Sequence, residues 1–335
     1  MRKRVCKHPS LGAQMGIKMI ETTAATSASC YFTSFMLKET YMLWTSLKIQ
    51  MNIMFRKKEY KAAIIIGITY SCLSFIYILT QFWGMDLSLI KDANQSVCYS
   101  QDNRLWYFFS VIYPFLVVLP YATSYVDDYR NQLLPIYISR SSRKNYFFSK
   151  LMAAFIGTGA VIAIPCLLNL FLCNLFLPHN HNTWLGEYQM GNYYRRLLGT
   201  NILYNTPYSK LPFLKLWTES PFLYNLLYLL FFSLFSGLLG ALALSFSFWW
   251  KRSKLALFFP IFLLTQISQN YDTWKLSDAI ANESTYVNTN ILDYVVPTIS
   301  KGRTPLFMAA FVLICIILIG VSVLYAIRED LRSMQ

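Results

Sequence analysis

Charged residues are missing from this chain in blocks. Six stretches hold no Asp, Glu, Lys, Arg or His: 62–83, 105–126, 151–177, 221–248, 255–269 and 305–327. Five of them exceed the roughly 20 residues a helix needs to cross a bilayer core. Inside a bilayer each backbone donor and acceptor has to be satisfied within its own segment, so the pattern predicts helices. The fifth stretch is shorter and Pro260 interrupts it. Extended to Tyr271, it reads as a short span or as a helix that enters and returns. Upstream, Tyr41, Trp44, Leu47, Met51, Met54 and Phe55 recur at three- and four-residue steps, with Lys48, Asn52 and Arg56 on the flank and opposite side. That spacing predicts an amphipathic helix in the headgroup region, with a frayed extension of the first span as the alternative.

The predicted class is all-α and polytopic. Six transmembrane helices (about 62–83, 105–126, 151–177, 221–248, 255–271 and 305–327) follow an N-terminal interfacial helix within one membrane domain, 41–330. Pro114 and Pro120 predict kinks in the second span. Ser233, Gly237, Ala241 and Ser245 form a stripe of small residues on the fourth, suited to close helix packing. Residues 178–220 make the longest outside loop, and "ILDYVVPTI" between the last two spans is apolar enough to dip back into the outer leaflet. Residues 1–40 have no clear periodicity. They read as a poorly ordered tail or as an extension upstream of a start at Met36, Met42 or Met51. The opening "MRKRVCKHPS" is basic, but no apolar core follows within 30 residues, so no cleavable signal peptide is predicted.

Charge sets the orientation. Of the 30 Lys and Arg, 21 lie in four segments: 11 in 1–61, 5 in 127–150, 3 in 249–254 and 2 after 327. The positive-inside rule places these segments in the cytosol, with both termini cytoplasmic and the chain in the cell membrane. The net charge of +14 then faces anionic headgroups. Nucleic-acid binding is the weaker reading of that charge, and no nucleic-acid partner is predicted.

Several chemistries lack their residues. No GxxxxGK[ST] occurs, so no phosphate-cradling loop is predicted; no HExxH occurs. The seven cysteines contain no CxxC pair, and "HNH" at 179–181 has no third ligand nearby. The charge-free runs hold none of the mid-membrane carboxylates or bases that ion-coupled transporters use. Their polar residues Asn169, Asn174, Gln266 and Gln269 are expected to bond between helices. The chain is therefore read as a non-enzyme with no catalytic, cofactor or metal site: a membrane body without an engine of its own.

One cytosolic loop stands apart, "YVDDYRNQLLPIYISRSSRKNYFFSK" at 125–150. Apolar Leu133, Leu134, Ile136, Tyr137 and Ile138 sit beside Arg140, Arg143 and Lys144. Physics alone leaves two readings open, a docking surface or an ordinary positive-inside hairpin.

The interfacial helix "LWTSLKIQMNIMFRKKEYKA", the six spans, this loop and the extended element before the last span together resemble the permease subunits of ABC-2-type exporters of Gram-positive bacteria. That family carries an acidic residue after the second span, a short helix, and an I-S-R-x-x-Y-x-x-x-K-like pattern entering the third. Here these are Asp127 or Asp128, then Ile138, Ser139, Arg140, Tyr146 and Lys150. The acid is Asp rather than Glu, and the Asn131–Gln132 region stands where glycine often follows it. The resemblance covers about 40–330. It implies an ATPase-coupling loop built on Asp127, Asp128, Ile136, Ile138, Arg140, Arg143 and Lys144. It also implies an interfacial helix marked by Trp44, Met51 and Phe55, a separate ATPase subunit, and pairing with a second copy or a sister permease. The cargo is unidentified; an amphipathic peptide, drug-like or lipid-like molecule suits spans without charge. The alternative is a non-transporting immunity or sensor component that binds a partner.

Overall fold

In a computed structural model the described residues are 40–85, 93–99, 105–140, 142–179, 213, 216, 219–251, 254–281, 288–297 and 304–332. Residues 1–39, most of the loop 180–218, and the side chains of Ile138 and Arg140 lie outside them. The described residues form helices and connecting turns, with no strand among them. We number the helices α1 (40–56), α2 (Lys58–Gln81), α3 (Trp106–Val118), α4 (Ser124–Arg130), α5 (Leu134–Arg140), α6 (Arg143–Phe176), α7 (Pro221–Ser247), α8 (Phe258–Ala281) and α9 (Pro305–Arg332).

Four of these, α2, α6, α7 and α9, are long and apolar enough to cross a membrane. The other two expected spans take different forms. The run 105–126 is not one helix: α3 stops at Val118, residues 119–123 turn, and α4 begins at Ser124. Pro120 has no N–H to continue the ladder, so the break falls at the second proline, while Pro114 stays inside α3. Alone, α3 is about 20 Å long, short of the roughly 30 Å hydrocarbon layer. The expected fifth run is longer than its uncharged part, since α8 continues through Asp272 and Lys275 to Ala281. Pro260 does not interrupt it. It falls in the first turn of α8, where a missing N–H leaves no helical bond unmade.

The centre is the pair α6 and α7, which pack along much of their length. Small residues let their backbones approach. Ser233 Oγ donates to the Gly159 carbonyl at 2.9 Å. A Cβ on Gly237 would lie 2.6 Å from the Phe155 carbonyl oxygen, and one on Gly240 would meet the Thr158 hydroxyl. Ala241 and Ser245 of the same stripe are buried, the latter bonding to the Leu242 carbonyl at 2.7 Å. On the other flank of α6, Gly67 of α2 faces the Pro165 ring, whose Cγ would be 2.7 Å from an added Cβ. Aromatic contacts close the remaining sides: Tyr113 of α3 stacks on Phe232 of α7, Phe115 of α3 on Phe258 of α8, and Phe311 of α9 meets Phe235 of α7.

Polar side chains within the bundle join helices and turns. Asn169 accepts from the Cys98 amide at 2.8 Å and donates to the Ser71 carbonyl at 3.0 Å. Gln266 donates to the Ser110 carbonyl, whereas Asn174 turns back onto Leu170 in its own helix. The apolar piece before α9 is buried through Ile291, Leu292, Val295 and Val296. Asp293 accepts from the Asn288 and Asn290 amides, and Asp272 of α8 accepts from the Thr289 N–H at 2.5 Å.

Candidate functional site

The loop 127–150 starts from a helix that ends in a specific way. Past Arg130, the Gln132 N–H bonds to the Tyr129 carbonyl and the Leu133 N–H to the Asp128 carbonyl at 2.9 Å. This double closure requires a left-handed residue, and Gln132 has φ of 54°. Glycine adopts that conformation most readily; a glutamine there is held against a local preference of about 1 kcal/mol. The turn aims α5 across the end of α6. Ser142 then caps α6, its Oγ accepting from the Asn145 N–H at 3.3 Å.

Asp127 and Asp128 leave the end of α4 in different directions. Asp127 accepts Lys57 at 2.8 Å and Lys254 at 2.5 Å. Lys57 is the single extended residue between α1 and α2, and Lys254 immediately precedes the turn into α8. Asp128 binds Lys150 of α6 in a close ion pair and accepts the Tyr146 hydroxyl at 2.6 Å. Lys150 also donates to that hydroxyl at 3.0 Å. Its ammonium lies 5.9 Å from the centroid of Tyr121, whose hydroxyl binds Gln50 of α1. The lysine side chain is 1% exposed and Asp128 15%.

Burial pushes the Asp127 carboxyl up, but hydrogen bonds from Lys254 and then Lys57 outweigh it and hold the group below the ordinary carboxylate range. Burial, aided by the nearby Asp128, pushes the Tyr137 phenol up. Around this node, Tyr125 and Phe147 each meet Phe248 edge-to-face and lie tilted on one another, which fixes α4 to α6 and the end of α7, and Tyr137 stacks on Tyr146. Two carboxylates thus tie α4 to the α1–α2 joint, to the start of α6 and to the turn before α8. A displacement of α4 has to carry these elements with it or break charged contacts.

Ile136 is half exposed on α5, Lys144 is exposed and Arg143 half-buried. On α1 the apolar stripe divides. Leu47, Gln50 and Met54 are buried, Met51 is half-buried, and Trp44 and Phe55 are exposed. Met54 enters the space that a side chain on Gly157 of α6 would need. Ser46 and Ser149 add a hydrogen bond of 2.9 Å between the same helices.

Sequence reasoning missed Lys57, Lys254, Gln50 and Tyr121. The available signal was indirect: two adjacent carboxylates at the end of an apolar run need partners, but several basic residues qualify. Among the described residues no three His, Cys, Asp or Glu are placed to hold a metal ion. Compared with protein-family models, curated proteins and solved structures, the chain matches none.

Proposed function

We propose that the chain is the permease subunit of an ATP-driven exporter of the ABC-2 kind, working with a separate ATPase. The observation that carries this reading is the wiring of α4 and α5. A short helix presenting Ile136 is joined to two carboxylates that grip three other elements of the bundle. An ATPase that pushed on α5 would move the α1–α2 joint, α6 and the α7–α8 turn together. In this account α3 with α4 forms the second crossing and α8 the fifth, giving six spans with both termini and the 127–150 loop in the cytosol of the cell that makes it. The exposed Trp44 and Phe55 then lie in the inner headgroup layer, which suits an aromatic flank beside Lys48 and Arg56. Two copies, or one copy and a sister permease, would enclose the path of an amphipathic peptide, drug-like or lipid-like cargo.

The second reading, a non-transporting immunity or sensor component, is favoured by the aromatic filling of the single bundle, where Trp106, Phe109, Tyr113 and Phe232 are all buried in mutual contact. The test is ATP hydrolysis by a candidate ABC ATPase subunit, measured alone and co-reconstituted with this chain in vesicles. The transport reading expects the chain to form a complex and change the hydrolysis rate. No complex and no change favour the second reading.

A further inference from the structure

A second feature of the basic end faces outward. After α7 the chain turns through Phe248, which is buried, and then presents Trp249 and Trp250, 54% and 52% exposed. Trp249 packs against Tyr325 of α9 at 5.3 Å between ring centroids. Lys251 pairs with Glu329 of α9 at 2.9 Å and lies 4.9 Å from the Tyr129 ring centroid. Lys254, 41% exposed, shares Asp127 with Lys57. Among the described side chains here, the cations Lys57, Lys251, Lys254 and the exposed Arg328 outnumber the carboxylates Asp127 and Glu329, which leaves an excess of positive charge among them.

The surface above this patch is apolar and continuous with it. Along α9, Ile317, Val321 and Leu324 are exposed at helical spacing and run down to Tyr325 and Arg328. Gly320 leaves open space on the same helix, with nothing within 4 Å of an added Cβ. An apolar stripe, an aromatic rim and an ammonium cluster, in that order, match the profile of a phospholipid: acyl chain, ester layer, phosphate. We propose that the α7–α8 turn and the end of α9 form a binding site for a phospholipid with a net negative headgroup. Its acyl chain lies along the Ile317–Val321–Leu324 stripe, and its phosphate accepts from Lys251 and Lys254. A zwitterionic lipid brings its own ammonium and cannot offset the excess charge. Lys254 is the more exposed of the two lysines on Asp127, so it is the one placed to share itself between lipid and loop. The site does not depend on the transport reading.

The experiment uses the full chain, delipidated in mild neutral detergent and offered equal amounts of phosphatidylglycerol and phosphatidylcholine with identical acyl chains. Retained lipid is counted by native mass spectrometry. The wild type should retain phosphatidylglycerol preferentially. Lys251→Gln and Lys254→Gln should each lower that preference about fivefold, and together about thirtyfold. Lys275→Gln, near the far end of α8 and about 30 Å along the helix from the patch, should leave it unchanged. If the double variant does not survive purification, each single variant and the loss of preference at high salt carry the same test. Equal retention of the two lipids by the wild type, or wild-type preference in the lysine variants, would overturn the proposal. So would displacement by millimolar inorganic phosphate, which would make this a site for the bare anion.

Discussion

Lys150 and Asp128 are bound to each other inside the end of the bundle, and Tyr146 contacts both. The pair joins the loop to the helix that follows it, so it bears on both stability and coupling. Replacing Asp128 with Asn would leave a buried ammonium without its counter-charge, which costs about 3–5 kcal/mol. Thermal unfolding in detergent should show that loss. The double change Asp128→Asn with Lys150→Met should recover much of it, because an apolar side chain of similar length needs no partner. Asp127→Asn should cost about 1 kcal/mol or less, since Lys57 and Lys254 are partly exposed and can return to water.

Asp127 also predicts a pH dependence. Its carboxyl is held below the ordinary range, so its contribution is fully present above the unfolded value near 3.9 and is lost as pH falls through the lower folded value. The stability difference between wild type and Asp127→Asn should be constant at neutral pH and shrink in acid below about pH 4. Melting curves of both proteins across that range check it. A difference that grew in acid would reverse the assigned sign.

Met54 and Gly157 predict a paired effect. Gly157→Ala puts a methyl where the Met54 thioether sits, which should loosen α1 and cost about 1–3 kcal/mol. Met54 is a flexible side chain, so Met54→Ala should relieve much of the clash. Gly237→Ala meets the Phe155 backbone carbonyl and has no comparable rescue. Proteolytic release of α1, measured in the single and double variants, separates the cases.

Orientation is testable at the two ends of α6. Ser142 and His179 are both exposed and flank this helix. In a background without native cysteines, an impermeant thiol reagent applied to intact cells should label His179→Cys and spare Ser142→Cys. The opposite pattern would invert the topology and move the basic end outside.

How far the chain could be read in advance differs by element. Charge-free runs revealed α2, α6, α7 and α9 because burial in lipid excludes charge along a whole segment. The same criterion misjudged α8, since a helix can continue through Asp272 and Lys275 after the apolar run has ended. It also joined α3 and α4: the kink expected at Pro120 is a full break, and absence of charge alone does not register a missing N–H. On α1, at 100° per residue, Trp44, Met51 and Phe55 lie about 40–100° from Leu47 and Met54, so one broad stripe serves two surfaces. Asp127 and Asp128 were conspicuous where they stand. The partners of Asp127 were not, because Lys57 and Lys254 reach it only through tertiary packing and one sequence carries no signal of that pairing.

The most direct test of the account is co-purification of the proposed ATPase partner with this chain and with its Ile136→Asp variant at equal membrane expression. Ile136 is half exposed on α5, outside the apolar spans, so the variant should insert normally. A charge forced into a protein contact costs several kcal/mol, which weakens an interface about a hundredfold or more. The account predicts stable recovery of the ATPase with the wild type and its loss with Ile136→Asp. Undiminished recovery with the variant would contradict the claim that α5 is where the ATPase docks.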